Sequence, residues 1–109
     1  MAELDGPPPA QAVIQTRSDP TGAPVVRVAG DLDMSNAGEL EATVASVAGA
    51  SPERLIFDLS DLRFMDSAGI AVLLGAVSKV RAVVLRDPSP AVRRVVELTG
   101  LTDVLPIEP

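Results

Sequence analysis

The chain of 109 residues has no cysteine, no histidine, no tryptophan and no tyrosine, and only two phenylalanines. Without thiols or imidazoles it can form neither a disulfide nor a Cys/His metal site, and catalysis that depends on an imidazole base is excluded. Lys79 is the sole lysine, and no Gly-x-x-x-x-Gly-Lys loop occurs. No nucleophile–base set or phosphate-cradling loop can therefore be assembled. The carboxylates Asp31, Asp33, Asp58, Asp61 and Asp66 are what remains for an acid/base pair, the one enzymatic reading left open. Positive charge is also scarce: nine Lys and Arg stand against fifteen Asp and Glu, a formal net charge of −6. That argues against a nucleic-acid binder and against docking on an anionic membrane. No apolar run approaches the roughly 20 residues that span a bilayer. The segment Met1-Ala2-Glu3-Leu4-Asp5 lacks the basic-then-apolar order of a signal peptide, so a cytoplasmic protein is expected.

What is present is aliphatic. Hydrophobic residues make up 47% of the chain, so a core of Val, Leu, Ile and Ala fits one small domain and not two. Residues 1 to about 11, with Pro7-Pro8-Pro9, read as a loosely attached tail, leaving 12–109 as the domain. Strands are expected at 12–16 and 24–30 around the turn Asp19-Pro20-Thr21-Gly22, giving an opening hairpin. A helix near 35–48 keeps Leu40, Val44, Val47 and Ala48 on one face, with Asp33 or Ser35 as its cap. A strand at 54–59 follows. Ile70, Leu73, Leu74 and Val77 then recur at i, i+3, i+4 and i+7, predicting a helix from Ser67 to about Lys79 with that stripe buried. A strand near 81–86 comes next. Ser89 as N-cap, Pro90 at the first helical position and Gly100 as the stop frame a last helix near 89–99, with Val92, Val95, Val96 and Thr99 packed. Arg93 and Arg94 are then its solvated face.

The sequence Phe64-Met65-Asp66-Ser67-Ala68-Gly69-Ile70 lies between the third strand and the second helix. Asp66 or Ser67 caps that helix. Taken alone the residues allow two readings: a plain cap, or a serine beside unpaired first-turn N–H groups and the positive end of the helix dipole, where a phosphate is favoured. Asp-Ser-Ala-Gly-Ile, after the Leu-x-x-Leu-x-Phe-Met lead-in of residues 59–65, resembles the phosphorylation motif of the anti-sigma factor antagonists, the STAS-domain family. That family has Asp-Ser-Ser-Gly-Leu or Asp-Ser-Thr-Gly-Leu here, with the first serine as phosphate acceptor. The matching position is Ser67, and Ala68 replaces the second hydroxyl residue. Gly30-Asp31-Leu32-Asp33 is similar to the family's Gly-Asp-Leu-Asp segment. Ser89-Pro90-Ala91-Val92-Arg93-Arg94 resembles its Ser-Pro-x-Val-x-Arg/Lys segment.

The resemblance implies an α/β fold: a single STAS-like domain with a central mixed β-sheet, an opening hairpin and three or more packing α-helices. It implies a binding module rather than an enzyme, with no cofactor. Its partners would be an anti-sigma factor that is itself a serine kinase, which phosphorylates Ser67, and a serine phosphatase that reverses the step. The partner-binding surface would comprise Asp31, Asp33, Asp66, Ser67, Ala68 and Gly69. The alternative within the same family is a regulatory subunit of a transporter or multiprotein assembly that is not phosphorylated. Oligomeric state is not readable from the sequence. Many family members add a C-terminal helix, so what covers that edge of the sheet is left open.

Overall fold

The computed structural model describes residues 11–109. The expected tail lies outside these, save for Gln11. The described residues form an α/β domain. Strands β1 (Ala12–Ser18) and β2 (Pro24–Leu32) are followed by helix α1 (Ala37–Ala48), β3 (Arg54–Asp58), β4 (Leu62–Met65) and α2 (Ser67–Val77). Then come β5 (Ala82–Arg86), α3 (Pro90–Leu98) and the short β6 (Ile107–Glu108). The strand order is β1-β2-β3-β5-β6, with β4 beside β2. Only the β1–β2 pair is antiparallel; the other pairs are parallel. The sheet is therefore mixed and opens on a hairpin. Asp19 closes the hairpin turn by accepting the N–H groups of Thr21 and Ala23, with Gly22 at φ +88.

Strand alternation divides the residues between two faces. Val26, Val28 and Leu32 of β2, Leu55 and Phe57 of β3, and Val83 and Leu85 of β5 join Leu40, Val44, Leu73, Ala76, Val92 and Val96 of the helices in one buried cluster. All three helices thus pack on that face. Ile56 pairs with Val25 and Val84 on the opposite face, where it is buried. Cross-strand ion pairs run along this second face: Arg17 with Asp58, Arg54 with Glu108, and Arg86 with Glu108.

Two short strands go beyond the expected set. The run Leu62–Met65, part of the lead-in to the motif in the sequence, forms β4 and extends the sheet alongside the end of β2. The pairing shifts register at Gly30/Asp31, so that Gly30 faces Leu62 and Asp31 faces Phe64, leaving Arg63 as the extra residue. Gly30 enforces this break. It sits at φ +95, and a Cβ there would lie 2.4 Å from the carbonyl oxygen of Gln11. Strand β6 lies against the end of β5, which answers the question of that edge.

The helices also correct the sequence reading in detail. Helix α2 stops at Val77, not Lys79, and its fully buried positions are Gly69, Leu73 and Ala76. Ile70, Leu74 and Val77 are only partly buried. The helix carries no charge and little polarity, so an apolar stripe could not select its inner face; small residues face the sheet because they allow close approach. In α3, Val92 and Val96 are buried while Thr99 is exposed. Ser89 holds the N-cap position without a capping bond; its hydroxyl donates instead to the carbonyl of Leu62. No helix among the described residues is long and apolar enough to cross a membrane.

Candidate functional site

Helix α2 begins where β4 ends. Asp66 is its N-cap, in extended backbone conformation, and Oδ1 accepts the N–H groups of Ala68 at 2.9 Å and Gly69 at 3.3 Å. Two of the first-turn donors are thereby filled, the usual reason for an aspartate at this position. Ser67 is the first helical residue and is exposed. Among the described residues no group holds its hydroxyl. Ala68 is half-buried. Gly69 turns inward: a Cβ there would lie 2.6 Å from Met65 Cγ and 2.8 Å from Leu32 Cδ2. Gly69 therefore sets how closely α2 sits on β2 and β4.

The segment after β2 lies against this helix start. Asp66 Oδ2 accepts the N–H of Met34 at 3.3 Å, and the N–H of Asp66 donates to the carbonyl of Leu32 at 3.1 Å. Within the segment, Asp33 Oδ1 accepts both the N–H of Ser35 at 2.9 Å and its hydroxyl at 2.6 Å. The Ser35 hydroxyl, and then its N–H, hold the Asp33 carboxyl below the ordinary carboxylate range by stabilising its charge. Asn36 is the N-cap position of α1, without a side-chain capping bond. It is buried; its side chain accepts the N–H of Asp33 at 2.9 Å and donates to the carbonyl of Asp31 at 2.9 Å. The expectation that Asp33 or Ser35 caps α1 is not met: the chain makes a full turn at 33–36 before the helix begins, which puts Asn36 at the N-cap position. Asp31 is half-buried and pairs with Arg63 at 3.2 Å.

The structure therefore gathers Asp31, Asp33, Asp66, Ser67 and Ala68 at the adjoining ends of β2 and β4, with Gly69 beneath them. Asp33 is half-buried rather than fully exposed. Four participants were missed in the sequence. Nothing in the sequence marks Asn36; its inward position follows from the tight turn at 33–36. Arg63 was legible only once β4 was known to pair with β2. Met34, 82% exposed, and Phe64, 51% exposed, present large apolar side chains beside the carboxylates, where hydropathy alone would have sent them inward. Among the described residues no group of three or more His, Cys, Asp or Glu side chains is placed to hold a metal ion.

Comparison with known proteins gives consistent matches. The family described as the STAS domain matches residues 13–109. The anti-sigma F factor antagonist of Lysinibacillus sphaericus is 33% identical over 82 residues, covering 71% of this chain and 70% of its own. The crystal structure of an anti-sigma factor antagonist from Mycobacterium paratuberculosis superposes with a TM-score of 0.84 at 31% identity, covering 91% of this chain and 86% of that one. SpoIIAA in its unphosphorylated form, also an anti-sigma factor antagonist, gives a TM-score of 0.75 at 24% identity over 89% of both chains; that likeness concerns the fold.

Proposed function

The chain belongs to the STAS-domain family, and on that premise we propose that it is an anti-sigma factor antagonist whose binding surface is switched at Ser67. Its family relatives are regulatory binding proteins, not enzymes. In the unmodified state the surface around Ser67 binds an anti-sigma factor and so frees a sigma factor. The anti-sigma factor is a serine kinase that uses ATP and magnesium to phosphorylate Ser67, which ends the complex, and a serine phosphatase restores it. All catalytic groups belong to those partners.

The observation that carries this reading is the setting of Ser67. It is an exposed hydroxyl at the first position of α2, free of protein hydrogen bonds among the described residues. It follows the Asp66 cap, whose Oδ2 accepts the Met34 N–H of the turn that holds Asp33. A serine needed only for capping would be expected at Asp66's position, and Asp66 already does that work. Asp31 and Asp33 supply charge to the contact surface, Ala68 its floor, and Gly69 the height of the helix. Met34 adds exposed apolar area of the kind that gains energy when covered.

The test is incubation of the purified chain with ATP, magnesium and its cognate anti-sigma factor kinase, followed by intact mass measurement. One added phosphate, lost in Ser67→Ala, is the expected result. An unmodified mass with a stable complex would instead fit a regulatory subunit that works without phosphorylation.

A further inference from the structure

Strand β1 ends the sheet on one side, and among the described residues no strand pairs with its outer edge. The N–H of Asp31 donates to the carbonyl of Gln11, and that of Asp19 to the carbonyl of Ala23. Both bonds fall in the odd-numbered positions of the hairpin register, so Val13, Gln15 and Arg17 turn their backbone groups toward β2. Ala12, Ile14, Thr16 and Ser18 therefore turn theirs outward. The pairing runs through all seven residues without a register shift, and the strand contains neither proline nor lysine. Its one charge, on Arg17, is tied to Asp58. The usual means of blunting an edge strand are not used here.

We propose that β1 is an association edge, on which a second copy of this chain pairs antiparallel about a two-fold axis at Gln15. Gln15 is the centre of the strand Ala12–Ser18, so this register sets its whole length against itself. Ala12 then faces Ser18 of the second copy, Val13 faces Arg17, Ile14 faces Thr16, and Gln15 meets its own counterpart. No two like charges oppose each other, and the outward N–H and C=O groups of the even-numbered residues all gain partners. The seam is bounded at both ends: Asp19 leads into the hairpin turn, and Pro7, Pro8 and Pro9 have no N–H to give to a ladder. One strand seam is a small contact beside the standard interface of about 1,600 Å², so the association is weak and reversible. Asp31, at the Ser67 site, is bonded to Gln11, which puts that site at the Gln11 end of each β1. The two-fold axis therefore sets the two sites at opposite ends of one continuous sheet, and the seam uses no residue of either. The inference is independent of the reading of Ser67 as phosphate acceptor.

The test begins with sedimentation equilibrium of the full chain at rising concentration, where the mass should move from that of one chain toward that of two. Thr16→Pro removes only an outward N–H and spares the β1–β2 ladder; it should abolish the shift while keeping the unfolding transition. Gln15→Lys sets two cations against each other and should weaken association several-fold at low salt. The chain has no cysteine, so one introduced thiol reports the register. The paired Gln15 positions are non-hydrogen-bonded, with Cα atoms about 4.5 Å apart, within reach of a disulfide. In a glutathione redox buffer Gln15→Cys should give a covalent dimer. Val13→Cys should not, because its counterpart lies four residues along the seam, roughly 13 Å away. A wild-type chain that stays monomeric up to millimolar concentration would overturn the proposal. Crosslinking at Val13 in preference to Gln15, or a dimer undiminished by both Thr16→Pro and Gln15→Lys, would also overturn it, since each places the contact elsewhere.

Discussion

One carboxylate, that of Asp66, joins two segments more than thirty residues apart: Oδ2 accepts the N–H of Met34 at 3.3 Å while Oδ1 caps α2 at Ala68. Removing it should therefore loosen both. Asp66→Ala is expected to cost about 1–2 kcal/mol, the range for loss of a helix N-cap, measured by urea denaturation at neutral pH. A variant as stable as wild type would mean that the cap and the tie contribute nothing in solution.

Two glycines in the same helix should respond oppositely to a methyl group. Gly69→Ala places a Cβ 2.6 Å from Met65 Cγ and 2.8 Å from Leu32 Cδ2, an overpacking expected to destabilise by about 1–3 kcal/mol. At Gly75 a Cβ meets nothing within 4 Å, and Gly75→Ala should stabilise by about 0.5–1 kcal/mol through higher helix propensity. Thermal unfolding of both variants decides it; equal effects of one sign would refute this account of the motif glycine.

Asp33 should titrate below an ordinary aspartate because the Ser35 hydroxyl, and then the Ser35 N–H, stabilise its charge. A carboxyl whose folded pKa is depressed contributes stability above its unfolded pKa, and that contribution is lost as pH falls through the folded value. It disappears on the acid limb, below the ordinary aspartate value. Ser35→Ala should raise the Asp33 pKa toward that value in a carboxyl NMR titration; an unchanged titration would show that the Ser35 hydroxyl is not the cause.

The hairpin, the order of strands and helices, and the Pro90 start of α3 were legible because each rests on local signals: turn residues, alternation and capping chemistry. β4 was not, since four residues with Arg63 and Phe64 exposed show no apolar run and gain strand character only by pairing with β2. The inner face of α2 was only partly legible for the opposite reason: apolar residues surround the helix, so periodicity found Leu73 but not Gly69 and Ala76. At the site, Asp66 and Ser67 were readable as a cap and its neighbour. The roles of Asn36 and Met34 were not, because both depend on the turn at 33–36 meeting a helix start from a distant part of the chain.

If Asp33 belongs to the partner surface, Asp33→Ala should weaken binding to the anti-sigma factor kinase while leaving stability within about 1 kcal/mol of wild type, as its carboxylate bonds only Ser35 within the same turn. Titration calorimetry beside a denaturation curve separates the two. Loss of stability with unchanged affinity would make Asp33 a turn residue only.

The central claim is that a phosphate on Ser67 ends the complex. A unit charge placed about 6 Å from another costs roughly 3 kcal/mol at an effective dielectric of 20, on the order of a hundredfold in affinity. The most direct measurement is the dissociation constant of the anti-sigma factor kinase for the unmodified chain, for Ser67→Glu and for the chain phosphorylated at Ser67, at one fixed salt concentration. Affinity should fall in that order, the phosphorylated form being weaker than the unmodified one by on the order of a hundredfold. Equal affinity of the phosphorylated and unmodified chains would contradict the switch.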